Sequence, residues 1–378
     1  MKILHTITDL NLTSGGAATS TLNLFNALKK IGVDIEILTL GPKNPKDICL
    51  GEDIDNIIKK EFDGKTPFVY SRNFKNYLEN NYDYDIYHAN GLWTYPTHKT
   101  INIAKKINKP SIVTIHGMLN RNALKMGKLK KELALNIFQK KDLEKVSFIH
   151  STSQYEVECI RELGINTPIA LIPNGITMTP RIEEKPNDSI YRFGFVGRID
   201  RVKNIDLLLE AWNNLGVTTK NCELSIIGGG YDDKYLLELT QFVKENKLNV
   251  RFTGMLTKQN TLIEMSKLDF LILPSRSENF GMVIPEALSM GIPCIATKGT
   301  PWEELNTHNC GWWIDSDKES IAEAIQCAIT TTEEDYKLKG NNGINLVESK
   351  YSIEKTAELI YKLYEYIVKG GVQPEFLI

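Results

Sequence analysis

Short apolar runs alternate with longer amphipathic segments along the chain. The runs are bounded by Gly, Pro and polar residues, which is typical of buried strands in a parallel sheet. They cover residues 2–7, 33–38, 85–89, 110–115, 146–150, 193–197, 224–227, 250–253, 270–273 and 292–296. Segments such as 17–31 and 205–212 carry apolar residues at helical spacing. Strands that alternate with helices predict an α/β fold with doubly wound parallel sheets.

The length of 378 residues predicts two domains, because a single hydrophobic core rarely grows that large. The polar, proline-containing segment 177–190 is the best candidate for a linker. We therefore expect an N-terminal domain over 1–176 and a second domain over 191–353. Residues 41–82 show no clear pattern and are predicted to be loop-rich.

Composition and charge narrow the class of protein. The formal net charge is −2, which argues against general binding of nucleic acid. The six cysteines are scattered, with no C-x-x-C pair, as in reduced cytosolic proteins. The chain opens with a strand and no apolar run approaches about 18 residues, so we expect neither a signal peptide nor a membrane span. These features predict a cytoplasmic protein.

The segment 275–281 links a buried strand to a short helix and has the features of a phosphate site. Free backbone N–H groups at the helix start favour an anion, and Gly281 lets the backbone approach it closely. Glu278 and Glu286 flank this place. A carboxylate beside a phosphate is costly unless it binds hydroxyl groups, which sugars and riboses supply. The pattern therefore indicates a nucleotide-sugar site, and the alternative is a charged surface loop before an ordinary core helix.

Three further groups lie where predicted strands end. Arg198 and Lys203 precede a helix and can complete an anion site, or they are ordinary exposed loop charges. Gly15 and Gly16 form either a tight strand-to-helix turn or a place where the backbone approaches a phosphate. His116 leaves the carboxyl end of a strand, where loops line the crevice of such sheets, although a lone histidine is more often structural.

These residues resemble the motifs of a known family. Glu278-Asn-Phe-Gly and Glu286, with seven residues between the glutamates, resemble the E-x7-E motif of retaining GT-B glycosyltransferases of the group 1 (family four) type. Arg198 and Lys203 are similar to the cations of that family's Gly-Arg…Lys motif, and the resemblance covers nearly the whole chain. It implies two doubly wound Rossmann-like domains that face each other across a cleft, with a C-terminal helix, 354–378, that crosses back onto the first domain.

The resemblance also implies roles for the site residues. Glu278 would face the donor sugar, Glu286 would bind the ribose, and backbone amides after Phe280 would hold the diphosphate. The catalytic residues that it implies are His116, Arg198, Lys203 and Glu278. The donor-binding residues that it implies are Gly15, Gly16, Arg198, Lys203, Gly254, Met255, Leu256, Glu278, Asn279, Phe280, Gly281, Met282, Val283 and Glu286.

The implied activity is transfer of a hexose or a related sugar from a nucleoside diphosphate sugar, with UDP or GDP, to an acceptor hydroxyl, with retention of configuration. The acceptor would be a growing surface glycan of the bacterial type, lipid-linked or free. No acidic D-x-D pair lies beside a strand end in the second domain, so we expect no obligatory metal and no cofactor. The alternatives are a GT-B sugar-nucleotide epimerase and a non-catalytic sugar-nucleotide-binding partner of another transferase.

Residues 121–145 carry eight basic and three acidic residues, with Leu129, Leu133 and Ile137 at helical spacing. One interpretation is a solvated helix with one face in the core. The other is an interfacial helix that docks on an anionic lipid surface, which would place the protein at the inner face of the plasma membrane. The sequence leaves both interpretations open.

Overall fold

The structure, a computed structural model, describes residues 1–11, 15–41, 50, 54–63, 68–181, 189–216, 221–230 and 232–378. The chain forms two compact units. Unit 1 comprises Met1–Ile176 and Ile353–Ile378, and unit 2 comprises Thr177–Ser352. The predicted linker 177–190 lies partly outside the described residues, and its described residues belong to unit 2. No helix in the described ranges is both long and apolar enough to span a bilayer.

Both units alternate strands with helices, as the apolar pattern predicts. The strands are β1 (Lys2–Asp9), β2 (Asp34–Leu40), β3 (Ile57–Lys60), β4 (Ile86–Asn90), β5 (Ser111–Thr114), β6 (Phe148–Ser151), β7 (Ile169–Leu171), β8 (Tyr191–Val196), β9 (Cys222–Ile227), β10 (Val250–Gly254), β11 (Phe270–Leu273), β12 (Cys294–Thr297) and β13 (Gly311–Ile314). The α-helices are α1 (Gly16–Lys30), α2 (Arg72–Asn80), α3 (Tyr95–Lys106), α4 (Arg121–Lys125), α5 (Lys128–Ala134), α6 (Lys140–Lys145), α7 (Gln154–Glu162), α8 (Ile205–Leu215), α9 (Asp233–Glu245), α10 (Lys258–Ser266), α11 (Val283–Ser289), α12 (Glu304–Thr307), α13 (Lys318–Ile329), α14 (Glu333–Leu346) and α15 (Ile353–Lys369).

Each unit contains a parallel sheet. The strand order is β3-β2-β1-β4-β5-β6-β7 in unit 1 and β10-β9-β8-β11-β12-β13 in unit 2, and the paired strands run parallel. Central strands such as β11 bury every residue, because both faces of such a sheet are covered. The predicted doubly wound α/β class is confirmed. Since all strands run the same way, the loops after them meet at one edge of each sheet.

The prediction that residues 41–82 are loop-rich is wrong for β3 and α2. β3 is an edge strand of four half-buried residues, and α2 buries only Phe74 and Leu78. Because so few of their residues are buried, the apolar residues in the sequence of β3 and α2 show only a weak periodicity. The signal that could have found α2 is its cap, since Ser71 Oγ accepts a hydrogen bond from the Phe74 N–H (3.1 Å).

α15 belongs to unit 1 and completes its core. Ile360 and Tyr364 are fully buried together with Phe25 of α1. The predicted C-terminal segment 354–378 is helical only as far as Lys369, because two glycines with positive φ follow the end of α15. The last residues instead pair with β7, where Ile378 exchanges two backbone hydrogen bonds of 2.9 Å with the strand.

A chain of hydrogen bonds connects buried side chains at the sheet of unit 1. The acceptor at one end decides which atom donates in each bond. The Ile172 carbonyl can only accept, so His150 Nε2, 2.8 Å away, carries the proton. The neutral ring then accepts at Nδ1 from Thr114 Oγ1 (2.9 Å). The Thr114 oxygen in turn accepts from His88 Nε2 (2.7 Å). Burial lowers the pKa of His150 to about 4 and that of His88 well below its usual range, so both rings are neutral at pH 7.

The chain continues to α15 through Tyr364. Its hydroxyl donates to His88 Nδ1 and accepts from His5 Nε2, both over 2.7 Å. His5 Nδ1 is buried and finds no hydrogen-bond partner among the described residues. Burial lowers the pKa of His5 to about 3. A proton added to His5 Nδ1 therefore has no acceptor. These hydrogen bonds hold α15 against the sheet only while the histidines are neutral.

Acidification should destabilise unit 1 through these histidines. Their pKa is depressed in the folded state and about 6.5 in the unfolded state, so the stabilisation is complete above pH 6.5 and is lost as the pH falls towards 4. At pH 5 each ring should contribute a loss of about 2 kcal/mol relative to pH 7.5. Thermal unfolding at both pH values measures the effect.

Two variants test the assignment. His5→Gln keeps an N–H donor for Tyr364 but cannot titrate, so its unfolding temperature should depend less on pH. His308→Gln replaces an exposed histidine of unit 2 and should leave the dependence unchanged. The same pH dependence in both variants would contradict the assignment.

Candidate functional site

The loop between β11 and α11 holds Glu278 in a mostly buried position. Its Oε1 accepts a hydrogen bond from Ser275 Oγ (2.7 Å) and forms an ion pair with Lys203 Nζ. Lys203 lies after β8, which is the neighbour of β11 in the sheet. Two residues that the sequence assigns to one site are thus in direct contact, in a place where solvent screens their attraction little.

Arg198 is an unpaired cation at the same edge. It follows β8 and is exposed, and among the described residues its guanidinium has no hydrogen-bond or ion-pair partner. The nearby Asp200 instead caps a short 3-10 turn by accepting from the Val202 N–H (2.9 Å). An exposed, planar guanidinium is available to an anion, whereas Lys203 has to leave Glu278 before it can serve one.

Glu286 lies in the first turn of α11, and its carboxylate pairs with Lys258 Nζ at the first residue of α10. Sequence reasoning missed Lys258, because a lysine at a helix start is usually a solvated residue. Its side chain is largely exposed, whereas the Glu286 carboxylate is mostly buried. The loop of Gly254, Met255 and Leu256, which the resemblance assigns to donor binding, leads into α10, so this ion pair connects that loop with the predicted ribose-binding Glu286.

The start of α11 contains the remaining predicted positions around Glu278. Asn279, Gly281, Met282 and Val283 are half-buried there. No side chain caps this helix, so its first backbone N–H groups receive no side-chain acceptor. The Ile284 N–H donates to the Gly281 carbonyl (2.9 Å) and Pro285 has no N–H, so only the N–H groups that precede Ile284 are left for an anion at the predicted phosphate site.

Phe280 is a core residue of unit 2, and its side chain is not available to a ligand. Its ring packs on Trp302 and Tyr351, with 5.3 Å and 5.6 Å between ring centroids, and Trp302 Nε1 donates to the Phe280 carbonyl. Gly281 then has a φ of +78°, and a Cβ there would lie 3.3 Å from Leu273. Sequence reasoning missed Trp302, since a single aromatic residue in a loop forms no motif.

Glycines allow the loops at this edge to touch backbone to backbone. A Cβ at Gly228 would lie 2.1 Å from the Gly197 carbonyl oxygen, and one at Gly299 would lie 2.3 Å from the Ser275 carbonyl oxygen. The Gly299 carbonyl also accepts from the Glu278 N–H (2.8 Å). The loops after β9 and β12 therefore support the loops after β8 and β11, which carry the charged residues.

The predicted residues of the N-terminal domain lie in unit 1. Gly15 has a φ of +71° and precedes Gly16, the first residue of α1, while residues 12–14 lie outside the described part. His116 follows β5 with a φ of +53°, and its Nε2 donates to Asn90 Oδ1 (3.3 Å). Burial lowers the pKa of His116 to about 3, so its neutral ring can serve as a hydrogen-bonding group but not as an acid at pH 7.

The described residues offer no evident metal centre. Within those ranges, no group of three or more His, Cys, Asp and Glu side chains is arranged to hold a metal ion. The expected metal independence stays a prediction.

The buried thiols of Cys222 and Cys310 have a pKa raised by burial, to about 11 and about 12 respectively, and are therefore unreactive.

The segment 121–145 is mostly solvated and does have a core face, since Leu143 is fully buried and Leu124 and Leu135 pack against the same core. The residues predicted for that face are wrong. α5, a π-helical turn and α6 follow one another without a break, and the first half of this helix lies on the surface. The exposed fractions are 82% for Leu129, 62% for Leu133 and 59% for Ile137, and 72% for the neighbouring Met126. The residues that helical spacing assigned to the core are thus an apolar surface stripe.

Two family models match the chain. The model described as "Glycosyl transferases group 1" matches residues 179–345, and the one described as "Glycosyltransferase Family 4" matches residues 14–179. An uncharacterized glycosyltransferase of Methanocaldococcus jannaschii is 30% identical over 278 residues, which cover 70% of each chain.

Solved glycosyltransferase structures share the fold. A glycosyltransferase from Rickettsia africae superimposes with a TM-score of 0.77 at 20% identity, over 98% of this chain and 99% of that one. Anabaena HepE in complex with UDP and glucose gives 0.74 at 18% identity, over 96% and 99%. The predicted two-domain Rossmann-like GT-B fold is confirmed.

Gly299→Ala should destabilise unit 2. The new Cβ would overlap backbone atoms of the Glu278 loop, which cannot move aside as a flexible side chain could, so we expect the free energy of unfolding to fall by about 1–3 kcal/mol. Gly41→Ala is the control, because the nearest atom to a Cβ there is 3.8 Å away. Urea unfolding of both variants measures the difference, and equal stabilities would refute the close approach.

Proposed function

Since the chain belongs to the group 1 glycosyltransferases, we propose that it transfers a hexose or a related sugar from a nucleoside diphosphate sugar to an acceptor hydroxyl, with retention of configuration. The observation that carries this proposal is the arrangement at one sheet edge of unit 2: an ion pair of Lys203 with Glu278 beside the loop of the unpaired Arg198. Such a place offers cations to a diphosphate and a carboxylate to sugar hydroxyls.

The chemistry follows from charge. The leaving group is a nucleoside diphosphate, whose negative charge grows as the bond to the sugar breaks. Arg198 and Lys203 would stabilise that charge, and a preorganised donor of this kind is worth about 3 kcal/mol of barrier. Because two cations take the part that a metal ion plays elsewhere, we propose that no metal is obligatory. Glu278 would orient sugar hydroxyls, and the leaving phosphate would take the proton of the acceptor.

A bound nucleotide would replace the contact between Glu286 and Lys258, the second ion pair of this site. A ribose diol would bind the Glu286 carboxylate, and the exposed Lys258 side chain would move aside to the diphosphate or to solvent. UDP and GDP both fit this chemistry. The UDP in the Anabaena HepE structure supports testing UDP first.

Thermal unfolding with UDP, GDP, ADP or CMP, each with and without a chelator, tests the donor site. A ligand at 100 times its dissociation constant should add about 2.7 kcal/mol of stability. We expect one diphosphate to stabilise the protein regardless of chelator. Absence of any shift would refute the nucleotide-sugar site.

Glu278→Ala separates binding from turnover. Removing the carboxylate frees Lys203, so the nucleoside diphosphate should bind at least as tightly, while sugar transfer should fall about 100-fold. Lys203→Ala, the matched variant at the other end of the ion pair, should weaken nucleotide binding. Full activity of Glu278→Ala would contradict the proposal. Incubation with donor alone identifies an epimerase, which needs no acceptor.

We further propose that the acceptor is lipid-linked and that the enzyme docks on an anionic membrane surface. The stripe of Met126, Leu129, Leu133 and Ile137 exposes apolar side chains that no element in the described part of the chain covers. Lysines surround it, and those at 125, 128 and 130 are exposed. Apolar side chains ringed by cations match the acyl boundary and headgroups of an anionic bilayer, where each cation contributes about 1 kcal/mol.

Vesicle co-sedimentation tests the docking. The protein should bind vesicles that contain phosphatidylglycerol better than vesicles of phosphatidylcholine alone. Leu129→Ser/Leu133→Ser should weaken binding to both, and Lys125→Glu/Lys130→Glu should abolish the preference for the anionic lipid. Leu237→Ser, at an exposed leucine of unit 2, is the control. Undiminished binding of both double variants would refute the docking surface.

A further inference from the structure

We propose that Glu156 is a positioning residue that fixes the orientation of His116, an inference that rests on the function proposed above. His116 and Gly117 are consecutive residues with positive φ, +53° and +75°. For a residue with a side chain, this backbone region costs about 1–2 kcal/mol. A conformation of this kind persists only where surrounding groups hold it.

Glu156 supplies that restraint from the first turn of α7. The Gly117 N–H donates to its Oε1. Its Oε2 accepts from the Thr152 N–H (2.8 Å) and from Ser151 Oγ (3.0 Å). The side chain is fully buried, so the carboxylate joins the turn after β5 to the end of β6.

The two backbone donors beside Glu156 each require an acceptor on a different oxygen of its side chain. The backbone N–H of Gly117 donates to one oxygen of Glu156 and that of Thr152 to the other, and neither N–H can accept a hydrogen bond. A carboxylate accepts on both oxygens. An amide of the same shape accepts on one and donates on the other, so in Glu156→Gln one of the two N–H groups must lose its acceptor. The Gly117 bond is the one lost where the amide oxygen faces the Thr152 N–H and Ser151 Oγ, whose proton otherwise goes to the Ser153 carbonyl (3.0 Å).

Loss of this bond would act on the imidazole. With Gly117 released, the turn can relax from its positive φ, and the His116 ring would no longer be fixed with Nε2 towards Asn90 Oδ1. The ring borders a small cavity lined by Asn90, Thr114 and Asn174, and its direction would decide which nitrogen a donor sugar meets. Glu156 itself is buried behind the turn and would act only through His116.

A double-mutant cycle tests this inference by sugar transfer. Glu156→Gln should lower kcat about 10-fold and leave the UDP dissociation constant unchanged. In the background of His116→Ala, Glu156→Gln should cause no further loss. Glu158→Gln, the same change at an exposed position of α7, is the control and should be neutral. Losses in kcat that multiply in the double variant would overturn the inference, because Glu156 would then act independently of His116.

Imidazole 15N chemical shifts test the same inference without turnover. His116 should show a single Nε2–H tautomer in the wild-type protein and in Glu158→Gln, and a mixture in Glu156→Gln. If Glu156→Gln does not fold, Glu156→Asp, whose shorter side chain cannot reach both the Gly117 and the Thr152 N–H groups, should give the same mixture. Identical shifts in all variants would overturn the inference. If the wild-type protein binds a nucleoside diphosphate while Glu156→Gln leaves the His116 shifts unchanged, the proposed function stands and this inference fails.

Discussion

Contact between backbones at the carboxyl edge of the second sheet is the constraint on which the site of unit 2 depends. Gly228 and Gly299 lie where any Cβ would overlap a neighbouring carbonyl group. The loops that carry Arg198 and Glu278 are therefore fixed by main-chain packing. Because main-chain contacts and core side chains such as Trp302 hold these loops, the charged side chains can exchange partners with a ligand on a rigid frame.

The charged residues of these loops form ion pairs whose partners a ligand can replace. Glu278 pairs with Lys203 and Glu286 with Lys258, so neither mostly buried carboxylate is left without a counter-charge in the absence of ligand. A nucleoside diphosphate sugar brings hydroxyls for the carboxylates and negative charge for the lysines. It can therefore replace both partners in each pair, which a simple phosphate or a simple sugar cannot do.

Unit 1 relies on neutral polar groups in its interior. The histidine chain directs every proton from His5 to the Ile172 carbonyl and fastens Tyr364 of α15 to the strands. Glu156 does the same for the turn at His116, with backbone donors in place of a cation. Such networks of buried hydrogen bonds favour one arrangement over others, because an alternative leaves further donors or acceptors unpaired besides His5 Nδ1.

The sequence by itself determined the α/β class and ten of the thirteen strands in the described residues, because apolar runs and glycines are local patterns, and the spacing of charged residues pointed to a site around Glu278. It missed the short strands β7 and β13. It failed at β3 and α2, whose burial is too slight to leave a period. Only the tertiary structure decided that Leu129 is exposed and that Lys258 meets Glu286. Helical spacing shows which residues share a face, but what covers that face is set by distant parts of the chain.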